Sequence, residues 1–300
     1  MELVFLGTGS MVPTKDRNVT GHIIDYKGEY ILVDCGEGTQ RQMSMLGMSR
    51  NKITKILLTH WHGDHVIGLV GLLQTMSAVD NPGSVSIIGP VGTKTYLGHM
   101  LKSMHMDLRI TLDVHEIDAP DGLVRFFQNE DYSLEAANLD HGIPCLGYRF
   151  VEHDRRRMDM QKCTELGVKP GPVMGQLQNG ESVTVKGRTI SPEDVSYIVS
   201  GRKLSFILDT ELSTNCIPIA QDADVLVCET TYKEELAHKG ADHKHLTTRD
   251  ATSIATQAGV KKLIITHFSQ RYKTTHELVD DARKYFPNTD AAFDLMKVKL

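Results

Sequence analysis

Short apolar runs recur along the chain and are bounded by polar or glycine residues. Their length and β-branched content predict buried β-strands. The runs are Leu3 to Leu6, Tyr30 to Val33, Ile56 to Leu58, Val85 to Ile88, Leu204 to Leu208, Val225 to Val227 and Leu263 to Ile265. Helical patterns lie between several of them, over Val66 to Ala78, Lys94 to Met104, Thr248 to Ala258 and Thr275 to Tyr285. This mixture predicts an α/β fold with helices packed outside sheets.

One long segment, from about Phe150 to Lys203, departs from this pattern. It is rich in glycine and proline and has hardly any sustained apolar period. It contains nine basic and seven acidic residues, a net charge of +2, whereas the rest of the chain carries −7. We interpret it as an insertion that projects from the core, because loops this long within compact domains are usually functional or disordered. The alternative is a long, poorly packed connection.

The chain also contains a weak internal repeat. Lys55 to His60 and Lys262 to His267 are each a basic residue, a buried strand and a histidine at its carboxyl end. Two related halves that face each other would bring His60 and His267 into one cleft.

Composition narrows the class of protein. The 300 residues, 33.4 kDa, are 40% hydrophobic and 24% charged, which is typical of a globular chain with one large domain or two modest ones. A net charge of −5 argues mildly against a nucleic-acid partner. Fourteen histidines are many for this length and indicate metal or proton chemistry.

The cysteines and the apolar runs bear on the compartment. The cysteines are odd in number, widely spaced and without a C-x-x-C pair, which favours a reduced interior over a disulfide framework. The first apolar run is too short for a signal peptide, and no run approaches the ~20 residues of a spanning helix. We therefore expect a cytoplasmic protein without a membrane anchor.

The densest chemical signal directly follows a predicted strand. In the sequence Thr59-His-Trp-His-Gly-Asp-His65, three histidines and one carboxylate occupy six positions. Imidazole and carboxylate are ligands of zinc and similar divalent ions. His60 and His62, two residues apart in an extended segment, project to the same side, so Asp64 and His65 can reach a second position.

Three further candidate ligands follow other predicted strands: His141, Asp209 and His267. In α/β sheets, ligands gather beyond the carboxyl ends of the strands, so these placements favour a shared site. A two-metal centre requires additional ligands of this kind.

The chain resembles the metallo-β-lactamase superfamily, whose signature is H-x-H-x-D-H, and within it the short form of the ribonuclease Z family. The resemblance runs nearly end to end. It rests on Leu3-Val-Phe-Leu-Gly-Thr-Gly-Ser10, Pro13-Thr-Lys-Asp-Arg-Asn18, Asp34-Cys-Gly-Glu-Gly-Thr-Gln40, the metal turn, His141-Gly-Ile-Pro-Cys-Leu-Gly-Tyr148, Pro170-Gly-Pro172 and Phe268-Ser-Gln-Arg-Tyr272.

This resemblance implies a four-layer αββα sandwich with an inserted flexible arm. Residues 1–149 and 204–300 would form the catalytic domain, and residues 150–203 the arm, an exosite for tRNA. It also implies a homodimer, in which the arm of one subunit serves the active site of the other.

The resemblance also implies the ligands and the proton donors. His60, His62 and His141 would bind one zinc ion, Asp64, His65 and His267 a second, and Asp209 would bridge them; these are two zinc ions per subunit. The family assigns proton abstraction to Asp64, although a metal ligand should be a weak base.

His245 would be the general acid, oriented by Glu229, in loops that match the family's H-S-T and H-E-A-T motifs. Cys228 and Thr230 depart from the latter motif without removing a ligand or a proton donor.

The substrate-binding candidates also depend on the resemblance. Lys15 and Arg17 would contact phosphates or a CCA end, Arg271 would clamp phosphate oxygens, and Gly171 and Pro172 would belong to the exosite. The implied activity is zinc-dependent cleavage of precursor tRNA after the discriminator base, which leaves a 3′-hydroxyl on the tRNA and a 5′-phosphate on the trailer.

Three alternatives stay open. The first is a less specific phosphodiesterase or 3′ exoribonuclease, and the second is a non-catalytic RNA-binding protein. The third is a thioester or lactam hydrolase, which would not need the arm.

Overall fold

The computed structural model describes residues 1–120 and 122–300, and these form two compact units. The first unit comprises Met1–Gln128, Leu134–Phe150 and Lys203–Leu300. The second comprises Asn129–Ser133 and Val151–Arg202.

The first of two large sheets is built mainly from the amino-terminal part of the chain. Its strand order is β18-β1-β2-β3-β4-β5-β6. The strands are β1 (Glu2–Gly7), β2 (Gly21–Tyr26), β3 (Glu29–Val33), β4 (Ile53–Leu57), β5 (Ser84–Pro90), β6 (Thr111–Ile117) and β18 (Lys297–Lys299). Strands β3 to β6 are parallel, and the pairings of β1 with β18 and β2, and of β2 with β3, are antiparallel.

The second large sheet has the strand order β17-β16-β15-β14-β9-β8-β7. The strands are β7 (Val124–Gln128), β8 (Tyr132–Asp140), β9 (Pro144–Glu152), β14 (Lys203–Ile207), β15 (Val225–Glu229), β16 (Lys262–Thr266) and β17 (Thr289–Ala291). Strands β14 to β17 are parallel. Strands β15 and β16 are buried along nearly their whole length, which is why each contains a continuous apolar run.

Helices cover both outer faces of this pair of sheets. The helices of the first unit are α1 (Thr39–Met45), α2 (Gly63–Val66), α3 (Leu69–Ser77), α4 (Thr93–Lys102), α8 (Cys216–Ala220), α9 (Ala237–His243), α10 (Thr248–Gln257) and α11 (His276–Arg283). Leu69, Leu72 and Leu73 of α3 pack in the core of the first sheet. Ala251 and Ile254 of α10 pack in the core of the second.

The two sheets face each other in the middle of the first unit. The hydroxyl of Tyr148, on β9, donates to the carbonyl of Leu58 at the end of β4 (2.7 Å). His22 of β2 stacks on Phe206 of β14 at a centroid distance of 6.0 Å. The first unit is therefore the expected αββα sandwich.

One expected helix is interrupted. The pattern over Val66 to Ala78 predicts one helix, whereas the structure has α2 and α3 with a break at Gly68. The amide of Gly68 donates to the Cys35 carbonyl (2.9 Å), and a Cβ on Gly68 would lie 2.2 Å from the Gly36 carbonyl oxygen. This close approach holds the metal turn against the end of β3.

The second unit has a core of its own. Its elements are β10 (Arg155–Met158), α5 (Met160–Glu165), α6 (Pro172–Gln178), β11 (Val183–Val185), β12 (Arg188–Ile190), α7 (Pro192–Val195) and β13 (Ser196–Val199). Its buried cluster consists of Cys163, Val168, Leu177, Val183, Ile190 and Val195. Arg202 forms an ion pair with Glu152 (2.6 Å), which ties the two ends of the segment together. This segment is therefore not a poorly packed connection.

Across the described residues, none of the helices has the length and apolar character needed to cross a membrane.

Candidate metal centre and catalytic cleft

The site is assembled where strands of both large sheets end. The metal turn follows β4, His141 follows β8, Asp209 follows β14, and His267 follows β16. Because β14 and β16 are parallel and separated only by β15, their carboxyl ends lie at one edge of the second sheet. The repeated strand-histidine pattern thus brings His60 and His267 to the same carboxylate, Asp209.

The first group of candidate ligands consists of His60, His62, His141 and Asp209. Nδ1 of His62 lies 3.0 Å from Nε2 of His60 and 3.2 Å from Nε2 of His141. Oδ2 of Asp209 lies 3.8 Å from Nε2 of His60 and 3.7 Å from Nε2 of His141. Three ring nitrogens and one carboxylate oxygen therefore converge.

Hydrogen bonds behind this group fix which nitrogen faces inward. Nδ1 of His141 lies 2.9 Å from the carbonyl oxygen of Lys244, which can only accept, so this nitrogen carries the proton. Nδ1 of His60 lies 3.0 Å from the hydroxyl of Thr59, which itself donates to Asp34 (2.8 Å). Both Nε2 atoms consequently present a lone pair to the centre.

The second group consists of Asp64, His65 and His267. Oδ2 of Asp64 lies 3.6 Å from Nε2 of His65 and 3.5 Å from Nε2 of His267. Oδ1 of Asp209 lies 3.5 Å and 3.1 Å from the same two nitrogens. Asp209 thus faces one group with each of its oxygens.

Buried polar residues also orient the second group. Nδ1 of His65 donates to Oδ2 of Asp34 (2.7 Å). Nδ1 of His267 lies 3.0 Å from the Thr231 hydroxyl, which donates to Glu229 (2.6 Å). These contacts again leave Nε2 free to bind a cation.

The donor set fits divalent cations. Oδ1 of Asp209 is buried and has no hydrogen-bond partner among the described residues. Ring nitrogens that lie 3.0 to 3.4 Å apart with their lone pairs converging repel one another unless a proton or a cation lies between them. Histidine and carboxylate ligands in two groups bridged by one aspartate therefore suit a pair of borderline ions such as zinc.

Without a cation, the pKa values of the buried histidines in the two groups shift in opposite directions. Burial lowers the pKa of His60 well below its ordinary value, and the neighbouring His65 lowers it further. Burial also lowers the pKa of His65, but Asp209 and Asp34 outweigh it and raise that pKa well above the ordinary range. Burial raises the pKa of Asp64, yet the charge of His65 and the hydrogen bond with His267 bring it below its ordinary value.

A carboxylate–imidazole pair lies beside the two groups of candidate ligands. Nδ1 of His245 donates to Oε1 of the fully buried Glu229 (3.0 Å). Burial lowers the pKa of His245, but the charge and the hydrogen bond of Glu229 outweigh it and raise the pKa to about 9. The ring centroid of His245 lies 5.0 Å from that of His141. The raised pKa of His245 thus favours its protonated form, and the ring lies next to a candidate ligand.

The ligands open into a cleft of about 610 Å³. Arg271 lies on its wall, with its guanidinium over the ring of Tyr232 (5.0 Å) and Nε donating to Ser269 (3.1 Å). Met11 forms part of the rim, 77% exposed, and its amide donates to Oδ2 of Asp64 (2.7 Å).

Comparison with known proteins places this chain in a family. It is 40% identical over 301 residues to a ribonuclease Z of Methanothermobacter thermautotrophicus, covering 100% of this chain and 97% of that protein. A ribonuclease Z of Bacillus cereus is 40% identical over 303 residues, covering 98% of each chain. The chain belongs to the ribonuclease Z family. This membership makes it an enzyme, an endoribonuclease.

Solved structures agree with the fold. Human tRNase Z, short form, superimposes with a TM-score of 0.74 at 26% identity, covering 100% of this chain and 99% of that one. The metallo-β-lactamase fold protein YhfI of Bacillus subtilis gives a TM-score of 0.69 at 16% identity, covering 99% of each, and supports the fold alone. A family model described as the anti-Pycsar protein Apyc1 matches residues 1–139.

In this member of the ribonuclease Z family, the substrate-binding candidates Lys15 and Arg17 differ in their exposure. Lys15 is exposed, with its Nζ 3.7 Å from Oδ2 of Asp16. Arg17 is half-buried, donates to the Tyr272 carbonyl and packs over the ring of Phe268 (5.8 Å). Arg17 therefore anchors the loop to the second sheet, whereas Lys15 is available to solvent.

Gly171 and Pro172 lie in the second unit, exposed, at the start of α6. His243 is exposed and lines the cleft.

Sequence reasoning missed four residues that orient the candidate ligands: Asp34, Thr59, Thr231 and Lys244. Asp34 and Thr231 each follow a strand closely, so the rule that revealed His141 and Asp209 could have found them. Nothing in the sequence marks Lys244, whose carbonyl is the contributing group.

Proposed function

We propose that this protein is a zinc-dependent endoribonuclease that removes 3′ trailers from precursor tRNA. It cuts after the discriminator base and leaves a 3′-hydroxyl on the tRNA and a 5′-phosphate on the trailer. The observation that carries the proposal is the juxtaposition of two ligand groups, bridged by Asp209, with the Glu229–His245 pair in one open cleft.

The residues would hold two zinc ions per subunit. His60, His62 and His141 would bind one ion, Asp64, His65 and His267 the other, and Asp209 both. When bound, two such ions stabilise the charge on phosphodiester oxygens and make water a nucleophile at neutral pH.

His245 supplies the proton that the leaving oxygen needs. Its Nδ1 is engaged with Glu229, so the proton on Nε2 is the one that can be transferred. Glu229 raises the pKa of the ring, which favours its charged form and lets it act as a general acid.

Asp64 serves chiefly as a ligand. Its lowered pKa and the hydrogen bond from the Met11 amide make its carboxylate a weak base. Its assignment as the proton acceptor remains a prediction.

The substrate is held outside the metal groups. Arg271 lines the cleft and would bind phosphate oxygens through its guanidinium. The second unit is the proposed exosite for tRNA, with exposed Arg155 and Arg157 on β10 and the Gly171–Pro172 corner. We propose a homodimer in the cytoplasm; the free, buried cysteines suit a reducing compartment.

Cleavage of a 3′-extended precursor tRNA with both ends mapped tests this function. Protein stripped with EDTA is reloaded with zinc or with manganese before the assay. A single cut at the discriminator supports the proposal, whereas stepwise shortening indicates a 3′ exoribonuclease. No cleavage under either metal contradicts it and favours an RNA-binding protein or a hydrolase of small molecules.

Deletion of residues 154–195 tests the exosite. We expect severe loss of precursor tRNA binding with hydrolysis of bis(p-nitrophenyl) phosphate spared, since the small substrate needs no exosite. Equal loss of both activities would show that the second unit supports the fold of the active site instead.

A further inference from the structure

Lys244 lies between the metal ligand His141 and the proton donor His245. It follows α9 directly and adopts a left-handed backbone conformation (φ 52°, ψ 55°). Glycine adopts this conformation more readily than lysine, so a lysine here carries a conformational cost that glycine would avoid. The turn alone therefore gives no reason for a lysine at this position.

The backbone of Lys244 orients His141. Its carbonyl oxygen accepts the proton of His141 Nδ1 (2.9 Å), which directs Nε2 toward His62 and Asp209. The next residue in the chain is His245, whose ring centroid lies 5.0 Å from that of His141. A shift of this one peptide would move both imidazoles.

The side chain of Lys244 fixes this peptide to the strand ends that bear the ligands. Its Nζ contacts Oδ1 of Asp140 (2.5 Å) and Oε1 of Glu211 (2.8 Å). Asp140 precedes His141, and Glu211 lies two residues after Asp209. The amide of Glu211 also donates to the Asp140 carbonyl (2.8 Å), so the two acceptors are themselves held together.

We propose that Lys244 is a positioning residue that sets the separation of His141 from His245. It does so by clamping the α9–His245 turn onto the ends of β8 and β14. The inference rests on the proposed function, from which His141 and His245 take their roles. An exposed ion pair by itself contributes little to stability, and these side chains are 36 to 53% exposed. The expected consequence is therefore on the site rather than on the fold.

In the variant Lys244→Met the side chain stays unbranched and nearly as long, so its effect on the left-handed backbone is the same, but its charge is removed. We expect zinc affinity, measured by competition with a chromophoric chelator, to fall by about 10- to 100-fold, as for other residues that support metal ligands. With zinc at saturation, we expect kcat for precursor tRNA to fall by a similar factor at unchanged KM.

Hydrolysis of bis(p-nitrophenyl) phosphate should fall much less at saturating zinc. Its p-nitrophenolate leaves without a proton, so it does not depend on the position of His245. Lys244→Arg, which retains the charge and can reach both acceptors, should restore both zinc affinity and kcat.

The matched control is Lys261→Met. Lys261 pairs with Asp224 at 2.7 Å, but it precedes β16, at the end of the strand opposite His267. This variant should leave zinc affinity and kcat unchanged. If Lys244→Met does not fold, Glu211→Gln, which weakens the same clamp, should give the same pattern at smaller size.

Either readout can overturn the proposal. The proposal is wrong if the zinc affinity of Lys244→Met stays within twofold of that of the unmodified protein. It is also wrong if the ratio of precursor tRNA cleavage to small-substrate hydrolysis stays within twofold, because Lys244 then does not hold both histidines. If the unmodified protein cuts no precursor tRNA, the proposed function fails. In that case, zinc affinity, which needs no RNA, still decides whether Lys244 positions His141.

Discussion

Asp34 is expected to control metal affinity without contacting the metal. Its Oδ1 accepts the Thr59 amide (2.8 Å), and its Oδ2 accepts the Thr59 hydroxyl (2.8 Å) and His65 Nδ1 (2.7 Å). The variant Asp34→Asn keeps the size of the side chain. It also tolerates the left-handed backbone at this position (φ 57°), because asparagine adopts that region readily.

The magnitude follows from the hydrogen bonds. An amide nitrogen placed at Oδ1 would face the Thr59 N–H, which cannot accept. Placed at Oδ2, it would face His65 Nδ1, which accepts only if its proton moves to Nε2, the nitrogen required for the metal. One buried hydrogen bond is therefore lost in either orientation, at a cost of about 1 to 3 kcal/mol. That corresponds to roughly a 10- to 100-fold loss of zinc affinity.

The assay is competition for zinc with a chromophoric chelator, together with thermal unfolding of the metal-free protein. Asp25→Asn is the control, because Asp25 accepts the amide of Gly28 (3.1 Å) in the turn between β2 and β3. If the zinc affinity of Asp34→Asn stays within twofold of the unmodified protein, the orientation of His65 by Asp34 is irrelevant to metal binding.

Three further predictions concern the histidines. His245→Ala should lower precursor tRNA cleavage by about 10²- to 10⁴-fold with zinc content intact. The ligand atoms of His245, Asp209 and His267 lie within 4.8 Å of one another, so a loss of zinc in this variant would show that His245 is itself a ligand. Glu229→Gln should lower the pKa of His245, so activity, which needs the protonated ring, should decline from a lower pH than in the unmodified protein in a pH–rate profile. Because Asp209 and Asp34 raise the pKa of His65, which must lose its Nε2 proton to bind zinc, zinc binding at pH 7 should release protons in calorimetry with two buffers, and affinity should rise with pH; a buffer-independent heat would contradict this.

The positions of the candidate ligands were predictable because they follow local rules. A buried strand is a short apolar run, and a polar residue directly after it lies at the edge of the sheet. His60, His141, Asp209 and His267 all obey this rule, and the structure brings them together. The helical patterns that correspond to α3, α4, α10 and α11 end within a few residues of these helices, but the first pattern runs through Gly68, where the approach of another segment interrupts the helix. The helices α1, α8 and α9 were not predicted.

The sequence by itself determined the α/β class, the residue types of the candidate ligands and their places after strands, since these depend on neighbours along the chain. It did not determine which ring nitrogen of each histidine faces the centre. For His65, His267 and His141 that choice depends on Asp34, Thr231 and the Lys244 carbonyl, and the contact between His141 and Lys244 spans 103 positions of the chain. Only the tertiary structure decides it, because a hydrogen bond between distant segments exists only once the two sheets have packed.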